Sequence, residues 1–265
     1  MHRIVALAKG IRGAEHPVAN MEALALARSG QLTLARQSSS RAIDLARQAG
    51  EREVAVSYQA ARAMWEVVCG NATEGKRIAT AALAVSNSRD VQYAAGLALA
   101  LSGDSSRSQS LADDLEERFP EDTFVKFTYV PVLRALSALE SGKPTESVEL
   151  LQITLRYELA VNGLNFGHFY LGGLHSAYVR GEALIAAHRY PEAAAEFQKI
   201  LDHRGIVGAD PIGVLAHLQL GRTFALSGDM AKAKLAYGEF FTVWKDADPD
   251  VPILVQAKTE YARLQ

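Results

Sequence analysis

Apolar residues along this chain recur at three- and four-residue intervals, and the pattern is broken at regular distances by a short polar turn. That is the pattern of amphipathic helices laid in antiparallel pairs. The stretch "HLQLGRTFALSGDMAKAKLAY", residues 217–237, shows the frame: a helix with Gly221 in its middle, a stop at Ser227-Gly228-Asp229, and a second helix with Ala233 and Tyr237 four apart. The layout occurs six times, with turns at Ser29-Gly30-Gln31, Cys69-Gly70-Asn71, Ser102-Gly103-Asp104, Ser141-Gly142-Lys143, His188-Arg189-Tyr190 and Ser227-Gly228-Asp229. Five of the six place Gly where a helix must end in a left-handed residue, a conformation open to Gly without steric cost. The pattern predicts helical pairs at 17–48, 52–86, 89–118, 122–158, 170–203 and 210–246, a leading helix at 2–10 and a closing helix at 251–264. Asp250 is the expected cap of the closing helix, with Pro252 in its first turn. An apolar face of Ile253, Leu254, Ala257, Tyr261 and Leu264 is expected to cover the last pair. The Gly- and Asn-rich segment 157–173 reads as the longest insertion.

Aligning the six units on their turns brings out two further columns. Seven residues before each turn Gly, or before His188, stand Ala23, Ala63, Gly96, Ala135, Gly181 and Gly221; five residues after it stand Ala35, Gly75, Ser108, Ser147, Ala193 and Ala233. No member is larger than Ser. Helices joined by so short a turn lie face to face, and small residues at the crossing let their axes approach. Gly inside a helix costs about 1 kcal/mol relative to Ala, so it needs a packing reason, which close contact supplies. Phe224 with Tyr237, and Leu184 with Phe197, are expected to fill the space beside the last two crossings.

Composition agrees with helix: 44 of the 265 residues are Ala and only 8 are Pro. With 49% apolar and 22% charged residues the chain is ordinary for a soluble globular domain. The net charge of −2 does not point to nucleic acid as the partner, since such domains usually carry a basic excess. Arg36, Arg41, Arg47 and Arg52 alternate with Asp44, Glu51 and Glu53 and read as a solvated helix face. The single cysteine, Cys69, precludes an intrachain disulfide and a Cys-based zinc site. No apolar run reaches the roughly 18 residues that cross a bilayer, so membrane insertion is not expected. The first sixteen residues lack the apolar core of a signal peptide and read as a helix entered midway, as in a fragment of a longer protein.

Four constellations invite a chemical reading, and each is outweighed by an architectural one. His217 and Asp229 stand on opposite sides of a helical turn, with no nucleophile motif beside them. Asp246, Asp248 and Asp250 have the first three spacings of a calcium loop, but Val251 and Ala257 occupy its required Gly and Glu positions. His168, His175 and His188 lack a metal-binding pattern. "DHRG" at 202–205 puts Gly205 where a kinase loop needs its catalytic Asp, and no other kinase motif is present. No catalytic residue, metal ligand or cofactor is therefore expected.

A small residue, another small residue twelve positions on, and a large apolar one four beyond that resemble the tetratricopeptide repeat. The closest copies are "GRTFALSGDMAKAKLAY" and "GEALIAAHRYPEAAAEF", and Pro120 in "RFPED" matches the motif's terminal proline. Unit spacings of 40, 33, 39, 46 and 40 depart from the family's 34, and the first-helix aromatic is mostly missing. The resemblance spans residues about 17 to 246. "EFQKILDHRGIV", "LAHLQLGR" and "WKDADPDVPILVQAKTEYARL" are also similar to the C-terminal repeat region of large bacterial proteins with an N-terminal serine/threonine kinase-like or winged-helix domain.

The resemblance implies an all-α, right-handed α-solenoid of about six hairpins plus a capping helix, forming one domain over 1–265. It implies a non-enzymatic protein-interaction module, with self-association of the array as one alternative and a cryptic enzyme site in the 157–173 insertion as another. A peptide partner would lie in a concave groove lined by first helices. By register the groove positions are Ala60 and Met64, Tyr93 and Leu97, Tyr129 and Val132, His175 and Tyr178, and Leu218 and Arg222. They lack the Lys and Asn with which some members grip a terminal carboxylate. The expected compartment is the cytoplasm, or the periplasm if a membrane segment stands upstream.

Overall fold

The computed structural model describes residue 11, residues 13–160 and residues 174–264. The described residues form helices and turns and no strand. In chain order the helices are α1 (Glu15–Arg28), α2 (Leu32–Gln48), α3 (Arg52–Val68), α4 (Ala72–Leu83), α5 (Arg89–Leu101), α6 (Ser105–Arg118), α7 (Val130–Glu140) and α8 (Pro144–Leu150). After the insertion come α9 (Leu174–Ala186), α10 (Tyr190–Asp202), the single-turn α11 (Arg204–Val207), α12 (Ile212–Leu226), α13 (Met230–Val243) and α14 (Pro252–Ala262). A π-helical turn at Val125–Tyr129 leads into α7, and a 3-10 helix at Gln152–Arg156 follows α8. The expected leading helix at 2–10, and His168 with most of the insertion, lie outside the described residues.

Each hairpin closes in the same way. At the first turn, Gln31 N–H donates to Leu26 O and Gly30 N–H to Ala27 O. The same pair of bonds recurs at 70–71, 103–104, 142–143, 188–189 and 228–229. It satisfies carbonyls that a helix end leaves unpaired, and it requires the penultimate residue to be left-handed. All five turn glycines have φ between 73° and 96°, and His188, in the sixth, is the one non-glycine with positive φ among the described residues, at 58°.

All twelve members of the two small columns are buried. The last two hairpins show why the first column is Gly there. A Cβ on Gly181 would lie 2.6 Å from the Phe197 ring, and one on Gly221 would lie 2.7 Å from the Tyr237 ring. Each aromatic lies over the glycine itself, and Phe224 stays half-buried at the side.

Successive first helices α3, α5, α7, α9 and α12 touch in order, and their facing sides supply most of one continuous apolar core. The expected second helix of the fourth pair stops at Leu150 rather than running to 158. The buried Arg180 of α9 takes the Leu151 carbonyl and the Thr154 hydroxyl as acceptors, so the chain is drawn off its helical path. The guanidinium also holds Glu158 and Glu196, which Lys199 reaches as well. Arg36 departs from the solvated face expected of it and forms a two-point pair with Glu66, whose side chain is fully buried.

The two ends of the array meet. Trp244 Nε1–H donates to Arg28 O, Asp248 N–H to Gly30 O, Ile253 N–H to Cys69 O, and Arg28 donates to Gly208 O. Asp248 also accepts from Thr33 N–H at 2.7 Å, so a carboxylate from the far end of the chain caps the first turn of α2. Asp250, the expected cap of the closing helix, makes no such bond. The residue before α14 is Val251, and Pro252 opens the helix, where its missing N–H leaves one donor fewer to satisfy. Gly30 and Gly70 let this segment pass closely, for a Cβ on either would lie 2.6 Å from Ala247 or 2.8 Å from Pro252. The expected apolar face of α14 is present, with Leu254 and Ala257 buried and Tyr261 against Tyr237 and Phe241.

Candidate binding cleft

The positions expected to line a concave groove sit almost wholly in the interior. Ala60 and Met64 of α3, Tyr93 and Leu97 of α5, Tyr129 and Val132 around the start of α7, His175 and Tyr178 of α9, and Leu218 of α12 are all buried. Tyr93 and Tyr129 stack with ring centroids 3.9 Å apart and planes 4° from parallel, and the Tyr129 hydroxyl donates to Asp90. His175 Nε2 lies 2.7 Å from Asp210 Oδ2, while the other Asp210 oxygen accepts from Ile212 N–H at the start of α12. Met64 borders a cavity of 10 Å³ shared with Leu24, Trp65, His175 and Asp210, room for about one water molecule. In this conformation these side chains are closed to a partner.

Arg222 is the exception. It stands half-buried at the edge of a cleft of 620 Å³ between α9, α12, α13 and α14. The cleft's polar members are Gln219, Arg222, Gln256, Glu260 and Arg263, and Ile185, Ala225, Leu226, Tyr237 and Leu264 supply its apolar surface. The Arg222 guanidinium donates from Nε and an Nη to both Glu260 oxygens, at 2.9 and 3.0 Å, and the Tyr237 hydroxyl adds a 2.8 Å bond to the same carboxylate. Two parallel charge-assisted bonds fix both distance and plane, which is the particular use of arginine. Burial opposes ionisation of Glu260, but these donors overcome it and hold the carboxyl below its usual range.

Beneath this layer the Gln219 amide donates to the Tyr178 hydroxyl and to Glu182, each at 3.0 Å. Burial raises the Glu182 carboxyl from the usual 4.5 to about 7, against the opposing pull of Arg222 and the Gln219 amide. Across α14 a second cleft, of 290 Å³, is lined by Phe241, Trp244, Leu254, Lys258 and Tyr261. The closing helix thus lies between two open furrows. Polar groups fixed on apolar walls suit such a surface to holding a side chain or a helix.

The other chemical candidates separate. His217 faces Glu239 at 2.9 Å, whereas Asp229 accepts from Lys232 N–H and caps α13. Asp248 is engaged with α2 as described, and the His188 ring lies against the Tyr190 hydroxyl. Among the described residues no three His, Cys, Asp or Glu side chains come together in a metal-binding group. Also among them, no helix is long and apolar enough to cross a membrane.

Sequence reasoning picked out Arg222 but missed Glu260, Gln219 and Glu182. The single arginine among the groove positions was the available signal, because a half-buried guanidinium requires an acceptor nearby. No family model matches the chain, and neither does any curated protein.

Proposed function

We propose that the chain is a non-enzymatic protein-interaction module of the tetratricopeptide type, which binds a protein segment at the cleft beside α14. The observation that carries this reading is the cleft itself: 620 Å³, open to solvent, with oriented polar groups set among Ile185, Leu226, Tyr237 and Leu264. Its placement at the end of a helical array fits a module that displays a surface while another part of a larger protein acts on the result. On the sequence resemblance stated above, that larger protein is a bacterial signalling protein with a kinase-like or winged-helix domain.

The test uses exposed lining residues, so that folding is spared. Leu226→Asp and Arg263→Glu are prepared beside the wild-type chain, and each is immobilised as bait. A partner that binds the wild-type chain and is lost from both variants supports the cleft. Equal capture by all three, at equal stoichiometry, would assign binding to another surface.

A further inference from the structure

The cleft is shaped by what already lies in it. Of the eleven residues of α14, only Leu254 and Ala257 are buried; Pro252, Ile253 and Tyr261 make side contacts, and the furrows on either side leave most of the remainder exposed. Past the first turn, where Ile253 N–H donates to Cys69 O, its strong polar tie is Glu260, gripped by Arg222 and Tyr237. Tyr261, next in sequence, packs on Tyr237 and Phe241. The helix therefore presents a short recognition pattern: Leu254, Ala257 three on, Glu260 three further, then Tyr261.

We propose that α14 is a resident and displaceable occupant of the surface formed by α12 and α13. The external partner of that surface is then an amphipathic helix of the same chemistry, with a carboxylate for Arg222 and Tyr237, and apolar residues one and two turns before it. Three observations support this choice of occupant. The receiving groups are complementary to a carboxylate and already hold one. The contact is narrow, so a longer or more apolar helix would fill the two furrows that α14 leaves open. Helix-in-groove recognition also reads anchors at this spacing. The biological use of such exchange rests on the proposed function above; the exchange itself does not.

Hydrogen exchange on the full chain gives the first measurement. The α14 amides should exchange about a hundredfold or more faster than those of α12, as expected of an element that opens by itself. The second uses a labelled peptide of residues 251–264 with the full-length chain. Glu260→Lys sets a lysine against Arg222, so the resident helix should leave and the peptide should bind about tenfold or more tighter than to wild type, because the competent state is no longer occupied. A peptide carrying the same Glu-to-Lys change should not bind. The reversed pair, Arg222→Glu with Glu260→Lys, should return α14 to wild-type exchange and serves as the control for folding.

Overturning results are an α14 that exchanges as slowly as α12 in the wild-type chain, or a folded Glu260→Lys chain that binds the peptide no tighter than wild type. A chain that exchanges its helix yet captures no protein partner defeats the interaction reading and leaves this proposal standing. A chain that loses its partner in Leu226→Asp while α14 never yields defeats this proposal alone.

Discussion

Gly30 and Gly142 occupy the same position of the same turn, with φ of 74° and 73°, yet their surroundings differ. A Cβ on Gly142 would meet nothing within 4 Å, whereas one on Gly30 would lie 2.6 Å from Ala247 Cβ and 2.9 Å from the Trp244 ring. Substitution by Ala should therefore separate the cost of the turn from the cost of the closure. Both variants place a side chain in the left-handed region, at about 1 kcal/mol or somewhat more. Both also gain the same small advantage from a less flexible unfolded chain, about 0.5 kcal/mol. Gly30→Ala alone must push Trp244 and Ala247 away, an overpacking penalty of about 2 kcal/mol. The expected loss is about 1 kcal/mol for Gly142→Ala and about 3 kcal/mol for Gly30→Ala. In thermal unfolding that difference is about 5 °C for a chain of this size. Urea titration followed by tryptophan fluorescence measures it, since Trp65 and Trp244 are both buried and report on the region. Equal losses in the two variants would refute the reasoning, because the meeting of the two ends is the sole source of the predicted gap.

Four further outcomes follow from the packing and the charges. Gly181→Ala and Gly221→Ala should each destabilise by about 1–3 kcal/mol despite the better helix propensity of Ala, because Phe197 and Tyr237 occupy the space a methyl group needs; calorimetry showing stabilisation would contradict the close contact. Arg180→Met should cost about 3 kcal/mol or more in urea titration, since Glu158 and Glu196 lose the buried cation between them. His188→Gly should raise stability by about 0.5–1 kcal/mol by relieving a left-handed non-glycine residue, read as a higher urea midpoint. Glu182 carries a raised carboxyl, so the folded state binds its proton more tightly than the unfolded chain does. Its contribution is present below the unfolded value of 4.5 and is lost as pH rises to about 7. Glu182→Gln, measured by thermal melts from pH 4.5 to 8, should remove that decline, worth at most about 3 kcal/mol for the full interval; an unchanged pH profile would place the carboxyl in contact with water.

The parts of the fold that were legible share one property: they repeat. Left-handed φ at His188 follows from its register with five glycines, although nothing about a histidine suggests it. The small columns follow from the geometry of a short-turn hairpin, and burial of all twelve members shows the register to be right. What could not be read off the sequence is set by single contacts between distant residues. The closing helix has no side-chain cap from Asp250, whereas Asp248 caps a helix that begins 216 residues earlier, at Leu32. Its donor is the main-chain N–H of Thr33, which any residue but proline supplies, so no pairing of residue types announces the contact. Arg36 reads as a surface charge, and nothing singles out Arg180, because burial of Glu66 and Glu158 is decided by neighbouring hairpins. The interior placement of Tyr93, Tyr129 and Tyr178 likewise depends on how the array bends as a whole, which no single hairpin encodes.

That same dependence explains why the cleft stands where it does. From α3 to α9 each first helix is covered by the next first helix. α12 has no such successor. Near its start it meets the first pair, where Gly213 makes room for the Arg28 guanidinium. Along its remaining length, from Gln219 to Leu226, it packs on α9 and on its own partner α13, and where a further hairpin would bring two packed helices it has α14, with two buried residues. The row that carries Met64, Leu97 and Leu136 in the second to fourth units turns polar in the last two, with Glu182 and then Arg222, and the half-open end is closed by the Arg222–Glu260 contact. The repeat rule and its interruption thus place an oriented guanidinium beside apolar walls at the one end of the row where a further helix could still be received.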